Sequence, residues 1–380
     1  MSEHLNNDPF ESEDRLVPHQ TIAALDQPHL EFHALDVGIA AHNRISRAIC
    51  FLPSSGDPTE STHQPAPELD DQIIDGLERA GLFNRIGYPF PFPVSYFKSA
   101  RHVSQMCRLG DRMVELQCPE PMILDAIKMM LGPMLDDAPK RRETDDVIAL
   151  QYHGDGFGVF VNQRPIFGQS EFAVARHLVM REIAISLAGR HRVSAAFHAG
   201  SAGTRNKAIV FAADSGSGKS TLTAALSANG YVYHCDDQVV LVGQEGRISS
   251  YPTRIGLKQG SWSVAELAPY DVEAIEPTFV GDGYVKLLQP PRIGDPAIQP
   301  KIAAFVFPAF SAEGQFEMTR LSGMEAMQRL ISSGSRLIGR YPTIRPLAQT
   351  LARVPAYALS YSNTVQAMDA VSDILEKDNH

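Results

Sequence analysis

Residues 208–242 read AIVFAADSGSGKSTLTAALSANGYVYHCDDQVVLV. The first five residues form an apolar run with the length and composition of a buried strand. A turn rich in glycine and serine follows, and apolar residues then recur at helical spacing as far as Gly230, where a helix is expected to end. A strand, a glycine-rich turn and a helix in this order predict an α/β fold in which the turn binds phosphate.

The turn carries the residue types that phosphate binding requires. Glycines let successive backbone N–H groups point at phosphate oxygens, and the N-terminus of the following helix adds partial positive charge. Lys219 can reach the β- and γ-phosphates of a nucleotide, and the hydroxyl of Ser220 can bind Mg²⁺. Ala213 stands where the usual pattern has its first glycine. The residues predicted to contact the nucleotide here are Ser215, Gly216, Ser217, Gly218, Lys219, Ser220 and Thr221.

Two adjacent carboxylates follow the next predicted strand. Asp236 and Asp237 end a short apolar segment that begins at Tyr231. One carboxylate can hold Mg²⁺, and the other can accept a proton from a hydroxyl nucleophile. The same pair is also typical of a solvated turn, but its position close after the glycine-rich turn and helix favours a role in phosphoryl chemistry.

Composition and charge narrow the class of protein. The chain has 380 residues, enough for two domains, and its 44% hydrophobic and 21% charged residues are ordinary for a globular protein. The net charge of −10 argues against binding to nucleic acid or to anionic membranes. No stretch approaches the ~20 apolar residues of a membrane span. The scattered cysteines and the polar N-terminus, which lacks a signal-peptide core, favour a cytoplasmic protein.

The chain is predicted to divide into two unequal parts. Residues 1–100 are expected to be an N-terminal extension, with a loop rich in Pro, Ser, Thr and acidic residues at 53–70. A catalytic domain is expected over 101–376, with its nucleotide-binding core at 197–243.

Local signals place several elements in the larger part. Ser170 is expected to cap a helix that ends near Gly189, and Ser322 with Glu325 has the pattern of a capping box. The tripeptide 153–155 is expected to turn a hairpin. Strands are predicted at 112–116, 147–152, 156–161, 302–307 and 316–321, and helices at 121–131 and 364–375.

These motifs together resemble the catalytic domain of HPr kinase/phosphorylases, which are bacterial serine kinases with a fold related to phosphoenolpyruvate carboxykinase. In that family a His-Gly dipeptide precedes a Gly-Asp-Ser-Gly-x-Gly-Lys-Ser loop, and an Asp-Asp pair follows the next strand. Here His198 precedes Asp214, and Asp237 follows Ser220, at separations similar to the family's. The resemblance is loose over 105–376 and specific over 198–240. It implies a P-loop kinase that uses ATP and Mg²⁺.

The resemblance implies a role for each matching residue. Lys219 would contact the transferred phosphate, and Ser220 would help to bind Mg²⁺. Asp237 would be the base that activates the acceptor serine, which leaves Asp236 beside it for the metal. His198 would lie near the site of transfer. The residues alone suggest the same roles for the lysine, the serine and the aspartates, and none for the histidine.

Two further cations, Lys258 and Arg292, stand in segments where the family carries other functional residues. HPr kinases have a second Mg²⁺ ligand and their phosphorolysis residues there, in patterns that 251–258 and 286–292 do not contain. The chain therefore resembles a divergent member, and neither HPr as the acceptor nor phosphorylase activity is predicted. Both cations are candidates to stabilise a transferring phosphoryl group. A solvated surface cation is the alternative for each.

The leading hypothesis is an ATP- and Mg²⁺-dependent kinase that phosphorylates a hydroxyl, on a serine of a peptide or small protein. Two alternatives stay open. One is a small-molecule kinase or carboxykinase-like enzyme on the same fold. The other is a nucleotide-binding regulatory module without turnover, in which the two aspartates only hold the metal. Because HPr kinases are oligomeric, the resemblance also raises a homo-oligomer as a hypothesis.

Overall fold

A computed structural model describes residues 30–36, 38–44, 47–53, 94–98, 100–136, 143–280, 283–339 and 342–377. These residues form a mixed α/β fold that contains several β-sheets, so the predicted α/β class is confirmed. Residues 1–29, and all but the first residue of the predicted loop at 53–70, lie outside the described residues.

The N-terminal part of the described chain forms two sheets. The first is antiparallel and consists of β1 (Leu30–Leu35), β2 (Gly38–Asn43) and β3 (Ile49–Pro53). The second has the strand order β6-β4-β5-β7-β8-β9, with β5 and β7 parallel. Its strands are β4 (Val103–Leu109), β5 (Arg112–Cys118), β6 (Leu135–Asp136), β7 (Asp146–His153), β8 (Gly156–Val161) and β9 (Arg164–Ser170). The predicted hairpin is confirmed, because β7 and β8 pair antiparallel up to His153 and Gly156.

The C-terminal part contains a ten-stranded sheet and a small three-stranded one. The strands are β10 (Val193–Phe197), β11 (Ala199–Gly203), β12 (Lys207–Ala212), β13 (Val232–Cys235), β14 (Val239–Val242), β15 (Arg247–Ser249), β16 (Ile255–Lys258), β17 (Thr278–Phe279), β18 (Tyr284–Leu288), β19 (Lys301–Phe310), β20 (Glu317–Leu321), β21 (Arg336–Leu337) and β22 (Ala356–Tyr361). The large sheet runs β13-β11-β12-β19-β15-β14-β10-β21, and β22 joins β19 to β20. The small sheet has the order β16-β18-β17.

The α-helices of the described residues are α1 (Pro121–Leu131), α2 (Phe172–Ala188), α3 (Lys219–Ala228), α4 (Gly323–Ser332), α5 (Arg345–Leu351) and α6 (Thr364–Lys377). The main hydrophobic core surrounds α2, which contacts strands β5, β7 and β8 on one side and β10 and β14 on the other. Helix α3 packs against β11, β13 and α6. No helix in the described part of the chain has the length and apolar character that crossing a membrane requires.

Two helix starts test the capping predictions. At α4 the capping box is confirmed, because Glu325 N–H donates to Ser322 Oγ at 3.2 Å and Ser322 N–H donates to the Glu325 carboxylate at 2.8 Å. At α2 the prediction is wrong, because Glu171 and not Ser170 is the N-cap residue. Ser170 pairs with Phe157 as the last residue of β9, so its backbone belongs to the sheet.

The N-terminal sheet contacts the far end of the chain. The Asp36 carboxylate, just after β1, accepts the N–H of Gly323 at 2.7 Å and that of Met324 at 3.3 Å, at the start of α4. Glu31 accepts the N–H of Ile344 at 3.1 Å, just before α5. Residues 30–53 belong to the predicted N-terminal extension. They therefore contact the starts of α4 and α5, which belong to the predicted catalytic domain.

Candidate functional site

The strand topology brings three sequence motifs to one edge of the large sheet. Strand β11 is antiparallel to both β12 and β13, so the carboxyl ends of β12 and β13 lie beside its first residues. His198 immediately precedes β11, the glycine-rich loop 213–218 follows β12, and Asp236 follows β13. Ligands of open α/β sheets commonly bind beyond the carboxyl ends of strands.

The glycine-rich loop uses its glycines for backbone geometry. Gly216 and Gly218 have φ values of +87° and +99°, which side chains strongly disfavour. A Cβ at Gly218 would also collide with the Tyr361 hydroxyl. Ala213, in place of the usual first glycine, is not among the positive-φ residues of the described chain. An alanine is therefore compatible with the conformation of this loop.

Lys219 opens helix α3 and folds back over the loop. Its Nζ donates to the carbonyl of Ala213 and, at 3.0 Å, to that of Asp214. Burial lowers the pKa of Lys219, although the charges of Asp236 and two other aspartates oppose this shift. No side chain of the described residues caps the N-terminus of α3. This end of the helix presents N–H groups and a buried ammonium group to the same space, which suits an anion.

The two adjacent aspartates occupy different environments. Asp236 is only 5% exposed, and its Oδ1 accepts the Ser220 hydroxyl at 3.1 Å. The side chain of Asp237 is 37% exposed, and its backbone has a φ of +70°. Such a conformation is uncommon outside glycine, asparagine and aspartate.

The pKa values of the two carboxyl groups move in opposite directions. Burial and the neighbouring charge of Asp237 raise the pKa of Asp236 to about 6. Burial also works against ionisation of Asp237, but the close approach of the His177 and His198 rings holds its pKa well below the usual aspartate range. The pair therefore keeps one carboxylate ionised over a wide pH range, while the other titrates near neutrality.

This difference predicts a pH-dependent stability for Asp236→Asn. Because the folded-state pKa of Asp236 is raised, its contribution to stability is fully present below about pH 4 and is lost as the pH rises through about 6. Asparagine cannot ionise and still accepts the Ser220 hydroxyl. Without divalent ions, the variant should be more stable than the wild type at pH 8, by up to about 3 kcal/mol, and the gain should disappear towards pH 4.

Thermal unfolding followed by circular dichroism from pH 4 to 8 measures this effect. Asp111→Asn, at an exposed position in the β4–β5 turn, is the matched control and should show no such trend. A variant of Asp236 that is less stable than the wild type at pH 8 would contradict the raised pKa.

Two histidines contact Asp237, and the sequence prediction missed one of them. His198 Nδ1 lies 3.1 Å from Asp237 Oδ1, and His177 Nδ1 lies 3.4 Å from Oδ2. His177 comes from the middle of α2, where the helical pattern predicts only a packing face. The side-chain nitrogen Nε2 of Gln238 also lies 3.1 Å from Nε2 of the His177 ring. No motif in the sequence marks His177, because α2 approaches Asp237 only through tertiary packing.

These groups line one cleft with a volume of about 640 Å³. Lys258 lies at its mouth and donates to the Ser215 hydroxyl at 2.8 Å, and Thr221 Oγ1 is 2.5 Å from Ser261 Oγ. The cleft therefore lies between the glycine-rich loop and the small sheet. Its charged and histidine side chains include Arg176, His177, His198, Lys219, Asp236, Asp237, Arg254 and Lys258.

Arg292 lies elsewhere. Its guanidinium donates to the carbonyl of Gly230 at 3.2 Å, beyond the C-terminal end of α3, and it does not line the cleft. A helix of this length places that end roughly 15 Å from the glycine-rich loop. The structure therefore does not bring Arg292 together with the other predicted site residues.

No protein-family model matches the chain, and no curated protein shows significant sequence similarity to it.

Proposed function

We propose that the protein is a P-loop kinase of the HPr kinase-like type, which transfers the γ-phosphoryl group of ATP to a serine hydroxyl of a peptide or small protein. The observation that carries the proposal is the arrangement around α3. A glycine-rich loop, a buried lysine at a helix N-terminus, a serine paired with one aspartate and a second, more exposed aspartate all face one cleft.

The loop and Lys219 would hold the phosphates of ATP. The N–H groups of the first turn of α3 point out of the helix end that lines the cleft. Lys219 Nζ donates hydrogen bonds to two carbonyl oxygens of the loop. Phosphate oxygens would take the place of those carbonyls. Lys258, which reaches Ser215 across the cleft, would supply a further positive charge to the phosphates.

The residues around Asp236 fit Mg²⁺. Ser220 and Asp236 offer a hydroxyl and a buried carboxylate oxygen 3.1 Å apart, and hard oxygen ligands are those that Mg²⁺ prefers. The buried Asp236 carboxylate, close to the Asp237 charge, has a raised pKa, which a cation would reverse. When bound, Mg²⁺ would neutralise charge on the β- and γ-phosphates.

Asp237 would accept the proton of the acceptor hydroxyl. Its carboxylate is exposed to the cleft, whereas that of Asp236 is buried. The rings of His177 and His198 contact its two oxygens and fix its orientation. As the hydroxyl oxygen bonds to the γ-phosphorus, the proton passes to Asp237 and ADP leaves with the electrons of the broken P–O bond.

The test measures ATP binding by calorimetry and phosphoryl transfer from γ-labelled ATP to a library of serine peptides. Mg²⁺-dependent binding together with labelled peptide is the expected result. Binding without transfer to any acceptor would favour the regulatory module, and a labelled metabolite would favour a small-molecule kinase. Absence of ATP binding would contradict all three.

A further inference from the structure

We propose that Phe310 is the surface on which the purine base of the bound nucleotide stacks. Phe310 is 48% exposed and lines the same cleft as the glycine-rich loop. Because it requires the loop to hold the phosphates of ATP, this role rests on the proposed function. It adds a binding residue that no motif of the sequence marks, in a part of the cleft that the phosphates and Mg²⁺ would not occupy.

The strand order determines where the base lies. The two aspartates follow β13, on one side of β12, whereas β19 and β22 lie on the other side. With the γ-phosphate beside the aspartates and the α- and β-phosphates on the loop after β12, an extended nucleotide leads its base towards β19. Three strand spacings, or roughly 14 Å, separate β13 from β19. That distance is comparable with the length of an extended nucleoside triphosphate.

The backbone of Phe310 is bonded to the glycine-rich loop. Strands β12 and β19 are parallel, and their pairing ends at Phe211 and Val306. Strand β19 continues past that point to Phe310, so its last residues run alongside the loop that follows β12. The N–H of Phe310 donates to the carbonyl of Ser217 at 3.1 Å. The aromatic side chain is therefore held at a fixed place relative to the residues that would bind the phosphates.

A buried tyrosine fixes the ring of Phe310. Phe310 and Tyr361 are partners across the β19–β22 pair, and their ring centroids lie 5.5 Å apart at an interplanar angle of 67°. This edge-to-face arrangement is a preferred geometry for aromatic pairs. Tyr361 is fully packed in the core, whereas Phe310 stays half exposed. A ring that is already ordered loses little conformational entropy when a planar base packs on it.

The chemistry of the cleft changes from one side to the other, as that of a nucleotide does. Lys219 and the two aspartates lie on the α3 and β13 side, where they suit phosphates and a metal ion. On the β19 and β22 side the cleft is lined by Phe310, Tyr361 and Thr364, which are uncharged. An aromatic face attracts any base through stacking, whatever groups the edge of that base carries.

The test compares ATP with tripolyphosphate, which has the same three phosphates and no base. Calorimetry with Mg²⁺ should show that Phe310→Ala weakens ATP affinity by roughly 5- to 100-fold, the loss typical of one stacked base. Tripolyphosphate affinity should not change, because alanine keeps the N–H that donates to Ser217. Phe316→Ala, at a similarly exposed phenylalanine outside the cleft, should bind both compounds as the wild type does.

A second variant keeps the inference falsifiable if Phe310→Ala is poorly folded. Phe310→Trp should keep ATP affinity, and ATP but not tripolyphosphate should quench its added indole fluorescence, with the wild type measuring the signal of Trp262 alone.

Three results would overturn the role of Phe310 while leaving the proposed function intact. They are unchanged ATP affinity in Phe310→Ala, an equal loss of ATP and tripolyphosphate affinity, and equal quenching of Phe310→Trp by the two compounds. A wild type that binds neither compound would refute the proposed function and this inference together.

Discussion

Lys219→Ala is expected to remove measurable ATP binding and to lower phosphoryl transfer at least about 10³-fold. The reason lies in the position of the ammonium group, which is buried at the start of α3 and points into the loop that would hold the phosphates. A charge-assisted contact in such a poorly solvated place is stronger than the same contact at a surface. Calorimetry with Mg·ATP and a γ-phosphate transfer assay measure the two effects.

Two companion variants separate loss of charge from loss of structure. Lys219→Met keeps the apolar stem that fills the space over the loop, so it should unfold near the wild-type temperature and still fail to bind ATP. Lys301→Ala removes an exposed lysine at the start of β19 and should behave as the wild type. Unchanged ATP affinity in both Lys219 variants would refute the phosphate-binding role of the loop.

Asp237→Asn should lower the transfer rate by roughly 10²–10⁴-fold while Mg·ATP affinity stays nearly unchanged. Asparagine keeps the shape of the side chain but cannot accept a proton. It also tolerates the φ of +70° found at this position, so the backbone should not move. The low pKa of Asp237 keeps it ionised but also makes it a weaker base, which limits the expected loss.

Single-turnover transfer in the presence of Mg²⁺ measures the contribution of the base. Asp236→Asn is the comparison variant. Because the Asp236 carboxylate should bind Mg²⁺, its loss should raise the Mg²⁺ concentration that phosphoryl transfer requires. Adjacent carboxylates share their titration, so both variants are compared across pH. Wild-type transfer by Asp237→Asn would leave the regulatory module as the better hypothesis.

Elements with strong local signals could be predicted from the sequence. The strand before the glycine-rich loop, helix α3, helix α1 and the capping box of Ser322 and Glu325 all form where the sequence predicts them. Each depends on groups within a few residues of one another, such as a cap and the N–H three positions later. The positions of Asp236 and Asp237 after β13 follow from the same short-range pattern.

Other features needed partners that are distant in the chain. Ser170 has the side chain of a helix cap, yet its backbone is taken by pairing with β8. Residues 30–53 are predicted to belong to an N-terminal extension, but Asp36 supplies hydrogen-bond acceptors for a helix start nearly three hundred residues later. Neither outcome is visible locally, because each results from competition with a remote segment.

The candidate site shows the same division. The sequence by itself determined which groups could serve a phosphate and a metal ion, since Gly218, Lys219, Ser220 and the two aspartates lie within one strand–loop–helix–strand segment. Only the tertiary structure decided that His177 joins Asp237, that Lys258 reaches Ser215 and that Arg292 faces the opposite end of α3. The physical reason is that short-range backbone geometry fixes the first set. The packing of α2 against the large sheet, and of the small sheet against α3, fixes the second.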